Sequence, residues 1–127
     1  FVEPTIFGGV RNDMRIAQEE VFGPVLSVIP FDSADEALSI ANDSSYGLAA
    51  GVWTQDIRKI KHFSERLQAG TIWANTYRVI SYMTPLGGYK NSGLGRENGQ
   101  NAIYQYLQTK SIMISTASAV ANPFIMR

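Results

Sequence analysis

Apolar residues along this chain fall in short runs that alternate with stretches of helical periodicity. The strand-length runs are FVEPTIF at 1–7, VLSVIPF at 25–31, LAAGVW at 48–53 and TIWAN at 71–75. The nearly continuous run at 25–31 predicts a strand covered on both faces, and Pro4 predicts that the first strand is bent or lies at an edge. Strands and helices at these spacings predict an α/β fold, with βαβ units forming a mostly parallel sheet with flanking helices.

Two helices are predicted between these strands. Ser33 and Glu36 have the spacing of a capping box, and apolar residues follow on one helical face at positions 34, 37, 38 and 41. The second helix covers residues 56–68, with a charged outer face and inward residues at Ile57, Ile60, Phe63 and Leu67. Gly70 is the expected left-handed residue that ends it.

Residues 77–98 lose this periodicity and contain four glycines. A loop of this length is usually functional or disordered. Its spacing matches neither a P-loop nor a dinucleotide fingerprint, which leaves a phosphate cradle as the weaker alternative to glycines that allow tight turns and close packing. Helical spacing returns at 102–107, and KSIMIST at 110–116 alternates like a half-exposed strand.

The composition limits the classes of function. A chain of 127 residues with 45% hydrophobic content fits one domain that buries roughly two thirds of its unfolded surface. Eleven basic and eleven acidic residues are spread along the chain, which argues against nucleic acid or an acidic membrane as a partner. No apolar run has bilayer length and no secretory start is visible, so we expect a cytoplasmic protein.

Nucleophile and metal chemistry find little support. The chain has no cysteine, which excludes disulfides, thiolate metal sites and a cysteine nucleophile from these residues. The single histidine, His62, lies within the charged helix and is expected to be exposed, with no second ligand for a metal. No G-x-S-x-G motif is present. We therefore predict no metal site.

The segment QEEVFGPV at 18–25 places two carboxylates side by side. Adjacent residues point apart, so Glu19 and Glu20 are poorly placed to cooperate as a catalytic acid pair. Two readings stay open: a solvated charged turn, or one carboxylate that accepts hydrogen bonds from vicinal hydroxyls of a ligand beside the apolar ring of Phe22. These residues alone establish only an α/β domain with one functional-looking loop.

Six segments, taken together, carry a family resemblance. They are EPTIF, EEVFGPV, ANDSSYGLAAGVWT, LQAGTIWAN, PLGGYKNSGLGRENG and YLQTKSI, in this order over residues 3–112. The chain thereby resembles the C-terminal part of the catalytic domain of the NAD(P)-dependent aldehyde dehydrogenase superfamily. The resemblance implies that residues 1–109 are that portion of the catalytic domain, and that 110–127 form an oligomerisation-type β-strand and a tail.

The resemblance also implies a chemistry. The parent enzyme would oxidise an aldehyde to a carboxylic acid with NAD or NADP, through a cysteine thiohemiacetal and thioester. The nucleophile, the general base and the nucleotide-binding domain lie upstream of the matched region, so no primary catalytic residue is expected in this chain. We expect a fragment that is inactive alone. A non-catalytic binding or assembly module with the same fold is the alternative.

Site residues follow by motif from the same resemblance. Glu20 would accept hydrogen bonds from the nicotinamide ribose hydroxyls, Phe22 would pack near the nicotinamide, and Glu19 would be structural. Asn75 would organise a loop near the active site. Glu97 matches a buried glutamate, either an accessory proton relay or the partner of an ion pair with the preceding arginine.

Three further residues, Arg78, Ile80 and Leu86, match the aldehyde entrance. Leu86 stands where the family often has an aromatic residue, which leaves more room. Arg78 could favour an aldehyde with an anionic group or could serve only solubility. The strand from Lys110 to Ser115 would add to a neighbouring subunit's sheet and give a homo-oligomer, a dimer or tetramer.

Overall fold

A computed structural model describes residues 1–119, 122 and 124–125. The remaining residues of the predicted 110–127 tail lie outside this description. The elements in chain order are β1 (Thr5–Phe7), α1 (Arg15–Gln18), β2 (Val25–Ser27), α2 (Ala34–Asn42), β3 (Tyr46–Gly47), β4 (Ala49–Val52), α3 (Ile57–Arg66), β5 (Thr71–Ala74), β6 (Tyr89–Lys90) and a 3₁₀ helix (Gln100–Tyr106).

The strands form three pairs rather than one sheet. β1 and β2 are parallel with Thr5 opposite Val25, and β4 and β5 are parallel with Ala49 opposite Thr71. β3 and β6 are antiparallel. The predicted parallel βαβ arrangement is therefore present in β4, α3 and β5, whereas a single mostly parallel sheet is absent from the described residues.

Little of the apolar surface is covered. The accessible surface is 11025 Å², against about 6,700 Å² for an ordinary globular chain of this mass. Val10 and Leu67 are the buried apolar residues of the described part. The expectation that the chain buries roughly two thirds of its unfolded surface was wrong. The expectation of a strand covered on both faces was also wrong, because Leu26 in β2 is 56% exposed. Two-stranded sheets with short helices do not supply enough chain to cover both faces.

The start of α2 forms only one of the two hydrogen bonds that a capping box predicts. The Ser33 hydroxyl accepts a hydrogen bond from the Glu36 N–H at 3.1 Å, as the capping-box spacing predicts. The Glu36 carboxylate accepts instead from the N–H of Asp32 at 2.7 Å, one residue before the cap. Both groups nevertheless satisfy donors at the helix entrance, which would otherwise have no partner within the helix.

Removal of this cap has a measurable consequence. We expect Ser33→Ala to lower the free energy of unfolding of the protein that carries this chain by about 1 kcal/mol, because one helix donor loses its acceptor. Ser39→Ala makes the same chemical change within α2, away from the cap, and is expected to be neutral. Equal losses for the two variants in denaturant unfolding would contradict a capping role for Ser33.

The helix α3 starts with an aspartate cap. Asp56 accepts from the backbone N–H of Arg58 at 2.9 Å, and this hydrogen bond lowers the pKa of the Asp56 carboxyl. Ile57, predicted to point inward, is 71% exposed because the four-residue strands β4 and β5 leave the first turn of the helix uncovered.

Across the described residues, no helix has the length and apolar character to cross a membrane.

Gly70 is needed for a reason other than the predicted one. The helix α3 ends at Arg66, its C-cap residue Leu67 is extended, and the φ of Gly70 is not left-handed. A Cβ atom at Gly70 would instead overlap the carbonyl oxygen of Gly87. Close approach of two loop backbones, rather than a helix stop, therefore requires glycine here.

The glycine-rich loop has more structure than its lack of periodicity predicts. Within residues 77–98, β6 pairs with β3, and Leu86 and Glu97 exchange two backbone hydrogen bonds of 2.7 Å. One Arg96 guanidinium nitrogen donates to the carbonyls of Gly88 and Gly95, each at 2.9 Å, and to that of Leu94 at 3.2 Å. The loop is thus held by its own backbone groups, which agrees with glycines that allow turns and close packing.

The segment at 110–116 belongs to no strand pair of the single chain among the described residues. It has no ladder partner among the described residues, and its side chains are exposed, with Ile114 at 83%. A strand needs a hydrogen-bonded neighbour, and the neighbour expected here is a second subunit, so the oligomerisation strand stays a prediction. The helix expected at 102–107 is a 3₁₀ helix that runs from Gln100 to Tyr106.

Candidate functional site

The two neighbouring glutamates have different environments. Glu19 follows α1, and both of its carboxylate oxygens accept hydrogen bonds from the Arg15 guanidinium at 2.8 Å. This contact lowers the pKa of Glu19 and raises the pKa of Arg15. A carboxylate bound in this way is not a member of an acid pair, and its position agrees with the structural role expected of Glu19.

Glu20 is left open to a ligand. It is exposed and makes no hydrogen bond or ion pair with any other described residue. Phe22, two residues later, has φ 51° and is 95% exposed. Backbone hydrogen bonds fix the following turn, with the Thr5 N–H donating to the Pro24 carbonyl at 2.9 Å and the Val25 N–H to the Gly23 carbonyl at 2.8 Å. The turn presents an unoccupied acceptor and an uncovered aromatic face on the same short segment.

Asn75 joins the carboxyl ends of β4 and β5. Its side-chain oxygen accepts from the Thr54 N–H and its side-chain nitrogen donates to the Thr54 carbonyl, both at 2.9 Å. Its own N–H donates to the Val52 carbonyl at 2.9 Å, and its φ is 53°. The carboxyl ends of parallel strands are where α/β proteins place their ligands. Asn75 is therefore well placed to organise the loop, as the resemblance implies.

The motifs gave no role to Trp73, which holds the same loop from the other side. Its indole N–H donates to the Val79 carbonyl at 2.8 Å, and its ring meets the Tyr77 ring edge-on with centroids 5.7 Å apart. The available signal was a tryptophan in a strand directly before a loop, since a shielded indole N–H usually finds an acceptor. The partner, six residues later, could not be read from the pattern.

Two of the three predicted entrance residues lie on one cleft. Ile80 and Leu86 line an open cleft of about 320 Å³, together with Ile72, Trp73 and Val79. Arg78 is not on its walls. It precedes Val79 in the chain, has φ 57° and is exposed. The structure thus brings together the two apolar entrance residues and leaves the basic one beside them in the loop.

The environment expected for Glu97 was wrong. The residue is exposed rather than buried, and it forms no ion pair with Arg96, whose guanidinium is directed to backbone carbonyls. The backbone of Glu97 pairs with that of Leu86. Glu97 lines a different cleft, together with Gln105. An accessory catalytic role for Glu97 stays a prediction without support from burial.

The exposed position expected for His62 was also wrong. Its side chain is half-buried, and Nε2 lies 3.2 Å from Asp35 Oδ1 of the neighbouring helix α2, without the alignment that a hydrogen bond needs. In the described ranges, no group of three or more histidine, cysteine, aspartate or glutamate side chains could hold a metal ion. The single histidine therefore contributes to the contact between α2 and α3.

Comparison with known proteins places these features in a family. The sequence model described as "Aldehyde dehydrogenase family" matches residues 1–112. The chain belongs to the aldehyde dehydrogenase family.

Relatives resemble the chain over most of its length. Betaine aldehyde dehydrogenase from Mesorhizobium japonicum is 51% identical over 124 residues, which are 98% of this chain and 25% of that protein. Among solved structures, the indole-3-acetaldehyde dehydrogenase AldA of P. syringae, in complex with NAD+ and IAA, has 53% identity and a TM-score of 0.85 over 88% of this chain and 23% of its own. Betaine aldehyde dehydrogenase from Staphylococcus aureus, in complex with NAD+, has 43% identity and a TM-score of 0.92 over 99% of this chain and 26% of its own. The chain thus spans about a quarter of the proteins it matches.

Proposed function

We propose that this chain is the C-terminal part of the catalytic domain of an enzyme that oxidises an aldehyde to a carboxylic acid with NAD or NADP. The observation that carries the proposal is the unequal pair at 19 and 20. Glu19 is held by both nitrogens of a guanidinium fork, whereas Glu20 is free beside the uncovered ring of Phe22. This arrangement suits a ligand with vicinal hydroxyls and a flat ring.

The nicotinamide riboside half of the dinucleotide fits these two residues. The Glu20 carboxylate is an acceptor-only group that can take hydrogen bonds from two ribose hydroxyls. Phe22 offers its ring face to the nicotinamide and would limit the positions that the ring can occupy. The bound dinucleotide would supply the hydride acceptor for aldehyde oxidation. The two relatives that were solved in complex with NAD+ support a nicotinamide dinucleotide as the ligand.

The cleft lined by Ile80 and Leu86 would receive the apolar body of the aldehyde. Trp73 and Asn75 would hold its rim, because each ties the loop to the carboxyl end of a strand. A cysteine outside these residues would attack the carbonyl and form the thiohemiacetal and then the thioester. We place residues 1–109 in the catalytic domain on this basis, with 110–127 as oligomerisation strand and tail.

Oligomerisation through residues 110–115 is part of the proposal. The segment from Lys110 to Ser115 is exposed and has unpaired backbone, and Ile112 and Ile114 alternate along it. Such an edge can add to the sheet of a second copy, which would give a dimer or tetramer. A non-catalytic assembly module is the second candidate. The large uncovered apolar surface favours it, and a chain without cysteine is compatible with it.

An activity assay separates the two candidates. The full-length protein that carries this chain is expected to convert an aldehyde and NAD+ or NADP+ into the carboxylic acid and the reduced dinucleotide in equal amounts. The 127-residue chain alone is expected to give neither product, because it has no cysteine. Full-length protein that binds aldehyde or partner without any oxidation would favour the assembly module. Turnover by the isolated chain would contradict both.

A further inference from the structure

The carboxyl end of α2 is capped by side chains from outside the helix. The carbonyls at the end of a helix have no partner within it, and they carry the negative end of the helix dipole. The last turn of α2 contains no basic residue of its own. Lys90 instead donates from Nζ to the carbonyls of Asn42 at 2.6 Å and of Ser44 at 2.9 Å. The carbonyl between them, that of Asp43, takes its donor from a different segment.

Gln18 supplies that donor from the segment that carries the two glutamates. Its side-chain nitrogen donates to the Asp43 carbonyl at 2.9 Å and to the Asn12 carbonyl at 2.7 Å. Both partners are acceptors only, so the amide nitrogen must face them, and both of its N–H groups are used. Asn12 also donates from Nδ2 to the Asp43 carboxylate at 2.7 Å. The half-buried Gln18 thus joins α1 to the end of α2.

The turn at residues 20–22 is tethered only at its ends. It makes no hydrogen bond within the described part of the chain. After it the chain is fixed at Pro24, whose carbonyl accepts from the Thr5 N–H at 2.9 Å. Before it the nearest tether to another element is Gln18, two residues from Glu20.

The other contacts of α1 constrain Glu20 less. The Ile16 carbonyl accepts from the Ser27 hydroxyl of β2 at 3.2 Å, a longer hydrogen bond that lies four residues from Glu20. The exposed Arg15–Glu19 pair lies within a single segment and ties it to no other element. The position of Glu20 therefore depends on Gln18 more than on either of these contacts.

The end of α2 gives Gln18 a fixed reference. The Asn42 side chain donates to the Arg66 carbonyl at 2.9 Å and accepts from the Gln68 N–H at 2.8 Å. These two hydrogen bonds join the carboxyl ends of α2 and α3. A side chain that is bound there takes its position from the pair of helices.

We propose that Gln18 is a positioning residue for the Glu20 carboxylate. This inference rests on the proposed function, in which Glu20 accepts the ribose hydroxyls of the dinucleotide. With both amide N–H groups bound to fixed carbonyls, Gln18 sets where the chain leaves α1, and so where the carboxylate two residues later is presented. Loss of these hydrogen bonds would let the turn move, which would weaken use of the dinucleotide without changing the aldehyde cleft.

The test is a double-mutant cycle in the full-length protein between Gln18→Met and Glu20→Gln. Methionine has nearly the length of glutamine and no donor, so the change removes both hydrogen bonds at similar volume. It is expected to lower kcat/KM for NAD+ or NADP+ by about three- to tenfold, chiefly through KM, which is the effect of one or two neutral hydrogen bonds. The KM for the aldehyde is expected to stay unchanged. In the Glu20→Gln variant, which has already lost the carboxylate, Gln18→Met is expected to change kcat/KM by less than about twofold.

Lys90→Met is the matched control, because it removes the donor from the two neighbouring carbonyls of the same helix end and leaves those of Gln18 in place. It is expected to lower Tm at least as much as Gln18→Met and to keep kcat/KM for the dinucleotide within about twofold. An equal fall of kcat/KM in both variants would assign the effect to a loosened α2 and overturn the inference. Gln18→Asn, whose shorter side chain cannot span the same distance, replaces Gln18→Met with the same expectations if the methionine variant yields little folded protein.

Two further outcomes separate this inference from the proposed function. If Gln18→Met has no effect on kcat/KM for the dinucleotide, or the same effect with and without Glu20→Gln, the positioning role is overturned while Glu20 remains the ribose acceptor. If Glu20→Gln alone leaves kcat/KM for the dinucleotide unchanged, the proposed role of Glu20 is overturned and this inference with it.

Discussion

Glu20→Gln in the full-length protein is expected to lower kcat/KM for the dinucleotide by about tenfold to a hundredfold. The change keeps the size of the side chain but removes the charge and one acceptor from the group that would hold both ribose hydroxyls. A hydrogen bond to a charged group contributes about 1.5–3 kcal/mol, which corresponds to this range of rates. Steady-state kinetics with varied NAD+ or NADP+ at saturating aldehyde gives the value.

Glu19→Gln is the control because it makes the identical chemical change one residue earlier. It weakens the exposed pair with Arg15, and exposed ion pairs contribute little to stability. We expect less than about a threefold change in kcat/KM for the dinucleotide. Equal effects of the two substitutions would contradict the assignment of Glu20 as the ribose acceptor.

Gly70→Ala is expected to have the largest effect on stability. The new methyl group would overlap the carbonyl oxygen of Gly87, a backbone atom that cannot rotate away as a side chain could. Overpacking of this kind costs about 1–3 kcal/mol and more when backbone must move. A clear fall in Tm and in the yield of folded full-length protein is the expected result.

Gly8→Ala is the matched substitution for that experiment. A Cβ at Gly8 would have no heavy atom within 4 Å, and its φ lies outside the left-handed region. Its Tm is therefore expected to stay within a degree or two of the unaltered protein, the range of a surface change. A Tm for Gly70→Ala as high as that for Gly8→Ala would show that the two loops do not pack as closely as described.

Local patterns predicted the elements that depend on local physics. The Ser33 cap, the Asp56 start of α3 and the strand at 71–74 follow from hydrogen-bonding groups and periodicity within a few residues. The glycine at 70 was found but given the wrong reason, because its partner at Gly87 is distant in sequence. The prediction of a strand at 25–31 that is covered on both faces was wrong for the same reason. Burial depends on neighbours that are distant in sequence, and a local pattern does not contain them.

The candidate site shows a similar division. Geometry alone made a Glu19–Glu20 acid pair unattractive, and only the resemblance singled out Glu20. The Arg15 contact that occupies Glu19 was not anticipated, although the i, i+4 spacing could have indicated it. The burial of Glu97 and of His62 was predicted wrongly. The environment of Glu97 depends on its backbone pairing with Leu86, and that of His62 depends on the neighbouring helix α2. Trp73 was missed because its role depends on the path of the loop after it.

The role of Glu20 as ribose acceptor is tested most directly by combining its substitution with removal of a hydroxyl that it would hold. The measurement compares kcat/KM for NAD+ and for an NAD+ analogue that lacks a nicotinamide ribose hydroxyl, in the unaltered full-length protein, Glu19→Gln and Glu20→Gln. We expect a preference for NAD+ of about tenfold in the unaltered protein and in Glu19→Gln, and we expect Glu20→Gln to lose most of it. The same preference in all three proteins would contradict this role.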